Sequence, residues 1–77
     1  MKRLQEVVAG ALSYEVEDLP PSSTPFSDYQ DWDSLKHVSL VVGLESTFQV
    51  TLSAEEIKAM VSAADVERLL QQKGVHE

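Results

Sequence analysis

The chain has 77 residues, enough for one domain over residues 1–77 and too few to enclose a deep substrate cleft. It contains no cysteine, which excludes disulfides and thiolate metal sites, and two histidines, His37 and His76, too few and too far apart to build a metal site. Thirteen acids against six bases give a net charge of −7, which argues against nucleic acid and anionic membrane surfaces and favours basic protein surfaces as partners.

The first predicted element is an amphipathic helix over about residues 2–14. Leu4, Val7, Val8, Ala11 and Leu12 recur at helical spacing, and Lys2, Arg3, Gln5, Glu6 and Ser13 fall on the other side. No apolar run is long enough to span a bilayer, and the first residues lack the apolar core of a signal peptide, so the protein is expected to be cytoplasmic.

A long connection over about residues 15–33 follows. Pro20, Pro21 and Pro25 remove amide donors and bias their predecessors away from helix. Connections beyond about 12–15 residues are uncommon in small domains and often functional. Leu19, Phe26, Tyr29 and Trp32 are spaced through this one like anchors, and Leu19 and Phe26 are expected to pack onto the helices. The same stretch holds Glu15, Glu17, Asp18, Asp28, Asp31 and Asp33 with no Lys or Arg, so much of the net charge is concentrated here.

The second helix is predicted to begin at Ser34, with Asp33 as N-cap. Its apolar set, Leu35, Val38, Leu40, Val41, Val42, Leu44 and Phe48, is wide, so this helix is expected to be the most buried. Gly43 inside it costs about 1 kcal/mol relative to Ala and suggests a close approach of another backbone or a guest molecule. Two further helices are signalled by capping boxes. Ser53-Ala54-Glu55-Glu56 carries Leu52 and Ile57 as a hydrophobic staple, and Ser62-Ala63-Ala64-Asp65 carries Val61 and Val66. The last helix is expected to bury Val66, Leu69 and Leu70 and to stop at Gly74. The fold class is therefore all-α: four helices with a long loop between the first and second.

Asp33-Ser34-Leu35 is the centre of the functional reading. A hydroxyl in the first turn of a helix, directly after an exposed loop, is accessible to a modifying enzyme. A phosphate ester there would meet free backbone N–H groups and the positive end of the helix dipole. From the tripeptide alone, the favoured reading is that Ser34 only helps to start a helix.

The wider pattern resembles the acyl carrier protein family, the phosphopantetheine-binding domains. The resemblance rests on the first helix, the Pro-bearing loop, and Asp33-Ser34-Leu35 followed by Val38, Leu40, Val41, Leu44, Glu45 and Phe48. It continues through Val50-Thr51-Leu52, Glu55-Glu56-Ile57 and Ser62-Ala63-Ala64-Asp65. It implies a four-helix bundle of the acyl-carrier type. It also implies that Ser34 receives 4′-phosphopantetheine from coenzyme A, through a separate magnesium-dependent phosphopantetheinyl transferase. Acyl groups would then ride on the arm as thioesters. The chain itself would be a non-catalytic, monomeric carrier serving acyl-transferring and condensing biosynthetic enzymes. Asp33 would cap the helix and help the transferase recognise it, and Asp33, Leu35, Lys36, Val38, Ser39, Glu45 and Glu56 would form the partner face. Val38, Val42, Gly43 and Ile57 are candidates to line a shelter for an acyl chain.

The chain departs from the fatty-acid-synthesis pattern. Acids usual two and five residues after the serine are Lys36 and Ser39, Ser46 and Thr47 stand where further acids are usual, and the frequent glycine after the second helix is Gln49. Trp32-Asp33-Ser34-Leu35 with His37 looks like carriers of specialised pathways, such as polyketide or mixed polyketide–peptide assembly. Trp32 either covers the end of the bundle or meets a partner, and His37 is expected to be exposed or partner-facing. Two alternatives stay open: an unmodified acidic helical protein-interaction domain, and an aminoacyl or peptidyl carrier. The initial Met and compact ends favour a free-standing protein.

Asp28, Asp31 and Asp33 do not make a calcium loop. Counting from Asp31, the sixth position is Lys36 where glycine is needed and the twelfth is Val42 where glutamate is needed. Ser34, His37 and Asp33 lie within one helical turn, which implies no pocket or oxyanion hole for a nucleophilic triad.

Overall fold

The computed structural model describes residues 2–75, so His76 lies outside the described residues. Four α-helices follow in chain order: α1 (Lys2–Leu12), α2 (Ser34–Phe48), α3 (Ala54–Ala59) and α4 (Ala63–Gln72). Two single 3-10 turns, Val16–Asp18 and Phe26–Asp28, lie in the connection between α1 and α2. Among the described residues there is no strand; the only ladder-type pairing is an isolated antiparallel bridge between Pro25 and Ser62. The fold is all-α, as the helical spacing predicts.

Three of the helices end in the same way, and each ending follows from a residue in the left-handed region. Ser13 (φ 63°), Gln49 (φ 54°) and Gly74 (φ 85°) turn the chain. The next amide then reaches back five residues: Tyr14 to Ala9 O at 2.8 Å, Val50 to Glu45 O at 3.3 Å, and Val75 to Leu70 O at 3.0 Å. These closures satisfy orphan carbonyls at the helix ends. The first of them stops α1 at Leu12, two residues before the expected end. Gly74 is the stop anticipated for α4, and Gln49 takes the same conformation without glycine's freedom.

The starts are equally local. Both predicted capping boxes form: Ser53 accepts from the Glu56 amide while Glu56 accepts from the Ser53 amide, and Ser62 and Asp65 exchange the same pair. Val61 stays 53% exposed, so the second hydrophobic staple is loose.

The core joins Leu4, Val8 and Leu12 of α1 to Leu40, Val41, Leu44 and Phe48 of α2 and to Val66 and Leu70 of α4. Leu52 and Met60, flanking α3, and Phe26 and Tyr29 from the connection complete it. Leu69 of α4 is half-buried rather than buried. Gly43 lies where α2 meets α1: a Cβ there would lie 3.1 Å from Val7 Cγ1. The close neighbour is a side chain of α1 and not its backbone.

The long connection is held down at several points. Phe26 is fully buried, and its amide donates to Val61 O at 2.7 Å. The Ala64 amide donates to Ser22 O at 2.9 Å, which ties the Pro-rich segment to the start of α4. The Gln30 amide donates to the Tyr14 hydroxyl at 2.7 Å. Leu19 packs half-buried against the core.

Candidate functional site

Ser34 is the first residue of α2 and is exposed. Two sets of contacts fix its position. On the helix side, Asp33 adopts an extended backbone (φ −155°, ψ 177°), and its carboxylate accepts from the Lys36 amide at 2.8 Å. The Asp33 carbonyl accepts from the His37 amide at 3.2 Å. This is the N-cap arrangement expected from the sequence, and it starts the helix at Ser34.

On the loop side, a file of aromatic rings runs up to the residue before the cap. Tyr14 meets Tyr29 edge-on at 5.3 Å, and Tyr29 meets Phe26 edge-on at 5.5 Å. Phe26 stacks on Trp32 at 5.7 Å with the planes 12° apart, and Trp32 meets His37 edge-on at 5.3 Å. Aromatic pairs at such separations contribute about 0.5–1.5 kcal/mol each beyond their buried area. Trp32 therefore covers the end of the bundle and braces the chain immediately before Asp33. Burial raises the Tyr29 phenol above its ordinary range, and the neighbouring Tyr14 adds to the effect.

His37 differs from expectation. Its ring is half-buried against Trp32, and its Nδ1 is buried without a hydrogen-bond partner. It belongs to the brace rather than to an exposed face, because the stacked Trp32 folds back over the first turn of α2.

The helix itself is also divided differently from expectation. Leu40, Val41, Leu44 and Phe48 are buried, but Leu35 is 77% exposed, Val38 56% and Val42 58%. At about 100° per residue, Leu35, Val38 and Val42 form a stripe opposite the core-facing residues. The seven apolar positions of α2 are thus two stripes and not one wide face. Of the residues expected to line an acyl shelter, Val38 and Val42 face solvent, Gly43 abuts Val7, and Ile57 packs half-buried against the core.

The other predicted partner residues separate into free and engaged groups. Ser39 is exposed beside the apolar stripe. Glu45 is half-buried, and its Oε2 accepts from the Leu52 amide at 2.9 Å, which pins the turn after α2. Glu56 closes the α3 capping box and pairs with Lys73 Nζ at 3.0 Å. Its carboxyl is held below the ordinary range, chiefly by the Ser53 amide and then by Lys73. Lys36 lines an open groove of about 660 Å³ with Ser13, Tyr14, Glu15, Asp18 and Asp31. That groove brings carboxylates of the long connection beside the first turn of α2.

Val42 and Val61 are exposed apolar residues absent from the predicted partner face. For Val42 the signal is present in the sequence as the spacing 35, 38, 42, which cannot share an arc with 40, 44 and 48.

The arrangement suits a phosphate ester on the Ser34 hydroxyl. The side chain is reachable, the backbone ahead of it is braced, and the N-terminal end of a 15-residue helix favours negative charge. Residues 2–70 match the family described as "Phosphopantetheine attachment site". The chain belongs to this family, the acyl carrier proteins, which bear a 4′-phosphopantetheine prosthetic group and act as non-catalytic carriers. It is 32% identical over 72 residues to an acyl carrier protein of Petrotoga mobilis, across 94% of this chain and 84% of that relative. Among the described residues, no helix is long and apolar enough to cross a membrane.

Proposed function

We propose that Ser34 is the attachment serine and that the protein carries acyl intermediates as thioesters for polyketide or other specialised biosynthesis. The observation that carries this reading is the exposed serine at the start of α2, capped by Asp33 and braced by Trp32, within the matched span. In the loading step the Ser34 Oγ attacks the phosphorus of coenzyme A that bears the pantetheine. An Oγ–P bond forms, the pyrophosphate P–O bond breaks, the nucleoside bisphosphate leaves, and the hydroxyl proton passes to a base on the transferase. Once bound, the arm supplies the thiol that holds the acyl group.

The chain's own residues position that hydroxyl. Asp33 fixes the first turn through the Lys36 amide, and Trp32 holds the preceding backbone against Phe26. Leu35, Val38 and Ser39 form the exposed face that a partner enzyme meets next to the serine, with Lys36 at its edge. Glu45 and Glu56 act within the fold. Support for a specialised pathway comes from this face: α2 carries one Lys and one Glu, and the Glu is engaged internally.

The test is an intact mass measurement after incubation with coenzyme A, magnesium and a broad-specificity phosphopantetheinyl transferase. The protein is expected to gain one phosphopantetheine, and folded Ser34→Ala none. A gain in Ser34→Ala would place the attachment elsewhere, and no gain in the folded wild-type protein with several transferases would favour an unmodified docking domain.

A further inference from the structure

We propose that His37 holds the phosphodiester of the arm, with its Nε2–H as the donor; the inference rests on Ser34 being the loaded residue. Nδ1 of His37 is the only buried side-chain nitrogen or oxygen without a partner among the described residues. A neutral imidazole carries one N–H, on one nitrogen or the other. An N–H buried without an acceptor is less tolerated than a buried lone pair, so the proton belongs on Nε2. Among the described residues no hydrogen bond engages Nε2. The ring is half-buried, and Nε2 is the nitrogen it leaves at the surface. His37 therefore presents an oriented donor for which the protein itself supplies no acceptor.

Its place on α2 sets this donor beside Ser34. Residues three apart on a helix are neighbours, with Cβ atoms about 5–6 Å apart, and helical side chains tilt toward the N-terminus. The His37 ring thus lies over the turn that Ser34 opens. Trp32, edge-on at 5.3 Å and itself stacked on the buried Phe26, keeps it there. Lys36, the nearest basic residue in the chain, is not the partner. Residues two apart face different sides of a helix, and Lys36 lines the groove with Ser13, Tyr14 and Glu15. The Lys36 amide is already taken by the Asp33 carboxylate, which also puts a negative charge next to the serine. A phosphodiester on Ser34 Oγ therefore meets a neighbouring carboxylate and one fewer free amide than an uncapped helix start would offer. The imidazole N–H supplies the missing donor. Hydrogen bonds to a charged acceptor are among the stronger ones, and a ring already fixed by Trp32 gives up little freedom in making one.

The experiment compares the imidazole nitrogen NMR signals of the folded protein before and after loading with coenzyme A, magnesium and a broad-specificity phosphopantetheinyl transferase. Loading is read separately as intact mass. The spectra are taken at about pH 8, where an ordinary imidazole is neutral. The variant His37→Phe, which keeps a ring against Trp32 and lacks the donor, tells the His37 signals from those of His76. The unloaded protein is expected to show His37 protonated on Nε2. On loading, the Nε2 proton is expected to move downfield and its exchange with water to slow. Loading is also expected to raise the Tm of the wild type by about 4–8 °C more than that of His37→Phe, the shift one such bond gives in a domain of this size. An unloaded ring protonated on Nδ1, His37 signals unmoved by loading, or an equal change in Tm for the two proteins overturns the role of His37 while leaving Ser34 as the loaded residue. A wild-type protein that gains no phosphopantetheine with several transferases, or a Ser34→Ala variant that does gain it, overturns the assignment of Ser34 and this inference with it.

Discussion

Asp33 offers the sharpest test of how the candidate site is built, because two substitutions separate its hydrogen bond from its charge. In Asp33→Ala the Lys36 amide loses the carboxylate that accepts from it at 2.8 Å. Loss of such an N-cap costs about 1 kcal/mol. For a 77-residue chain, whose total stability is of the order of 4–12 kcal/mol, that is a visible fraction. It corresponds to a fall in Tm of about 4–8 °C. Asp33→Asn keeps an acceptor of the same reach and is nearly as good an N-cap. It gives up only the interaction of a negative charge with the helix dipole, about 0.3–1 kcal/mol. The expected order of stability is wild type, then Asp33→Asn, then Asp33→Ala, measured by thermal and urea unfolding followed by circular dichroism. Amide exchange at Lys36 is expected to quicken in Asp33→Ala and to stay slow in Asp33→Asn. Equal stability of Asp33→Ala and wild type would show that the cap does not hold the start of α2. Equal loss in both variants would show that charge, and not the hydrogen bond, is what matters.

Two further predictions concern the frame around the site. Gln49 turns the end of α2 with φ 54°, a conformation that costs a side-chain-bearing residue about 1 kcal/mol and glycine almost nothing. Gln49→Gly is expected to raise the urea midpoint by the equivalent of about 0.5–1 kcal/mol, and an unchanged or lower midpoint would mean that the left-handed turn is not strained. Glu56, with its carboxyl held low by the Ser53 amide and Lys73, contributes stability that is complete above the ordinary carboxylate range, about pH 4.3. That contribution is lost as the pH falls through its lowered native value, because the unfolded chain takes up the proton first. Glu56→Gln is accordingly expected to be less stable than wild type at pH 7 and to converge with it as the pH falls through the lowered native range of the carboxyl; a stability difference that stays constant throughout the acid titration would rule out the carboxylate as its source.

Much of the site was legible in the sequence because its determinants are neighbours in the chain. Asp33 caps Lys36 three residues away, and the pairs Ser53–Glu56 and Ser62–Asp65 close over the same span. A hydrogen bond of that reach depends on local backbone geometry alone, so residue type and spacing suffice to predict it. Phe26 in the core and Gly74 at the end of α4 were readable for similar reasons: a large apolar residue in a polar loop, and a residue free to adopt positive φ.

What the sequence determined by itself is the set of helices, their starts, and the serine at the head of the second. What tertiary structure decided is which side of α2 faces inward, and what its polar residues do. Leu35, Val38 and Val42 are as apolar as Leu40, Val41 and Leu44; they differ only in that α1 packs elsewhere on α2, with Val7 against Gly43, and that Leu40, Val41 and Leu44 share one core with residues of α1 and α4. His37 is half-buried because Trp32 folds back over it, held in turn by Phe26, whose place depends on Val61 far along the chain. Glu45 is engaged because the turn after α2 returns the Leu52 amide to it. In each case the deciding partner is brought in by the packing of separate elements. Burial depends on the whole arrangement of the chain, whereas a helix cap depends on four consecutive residues.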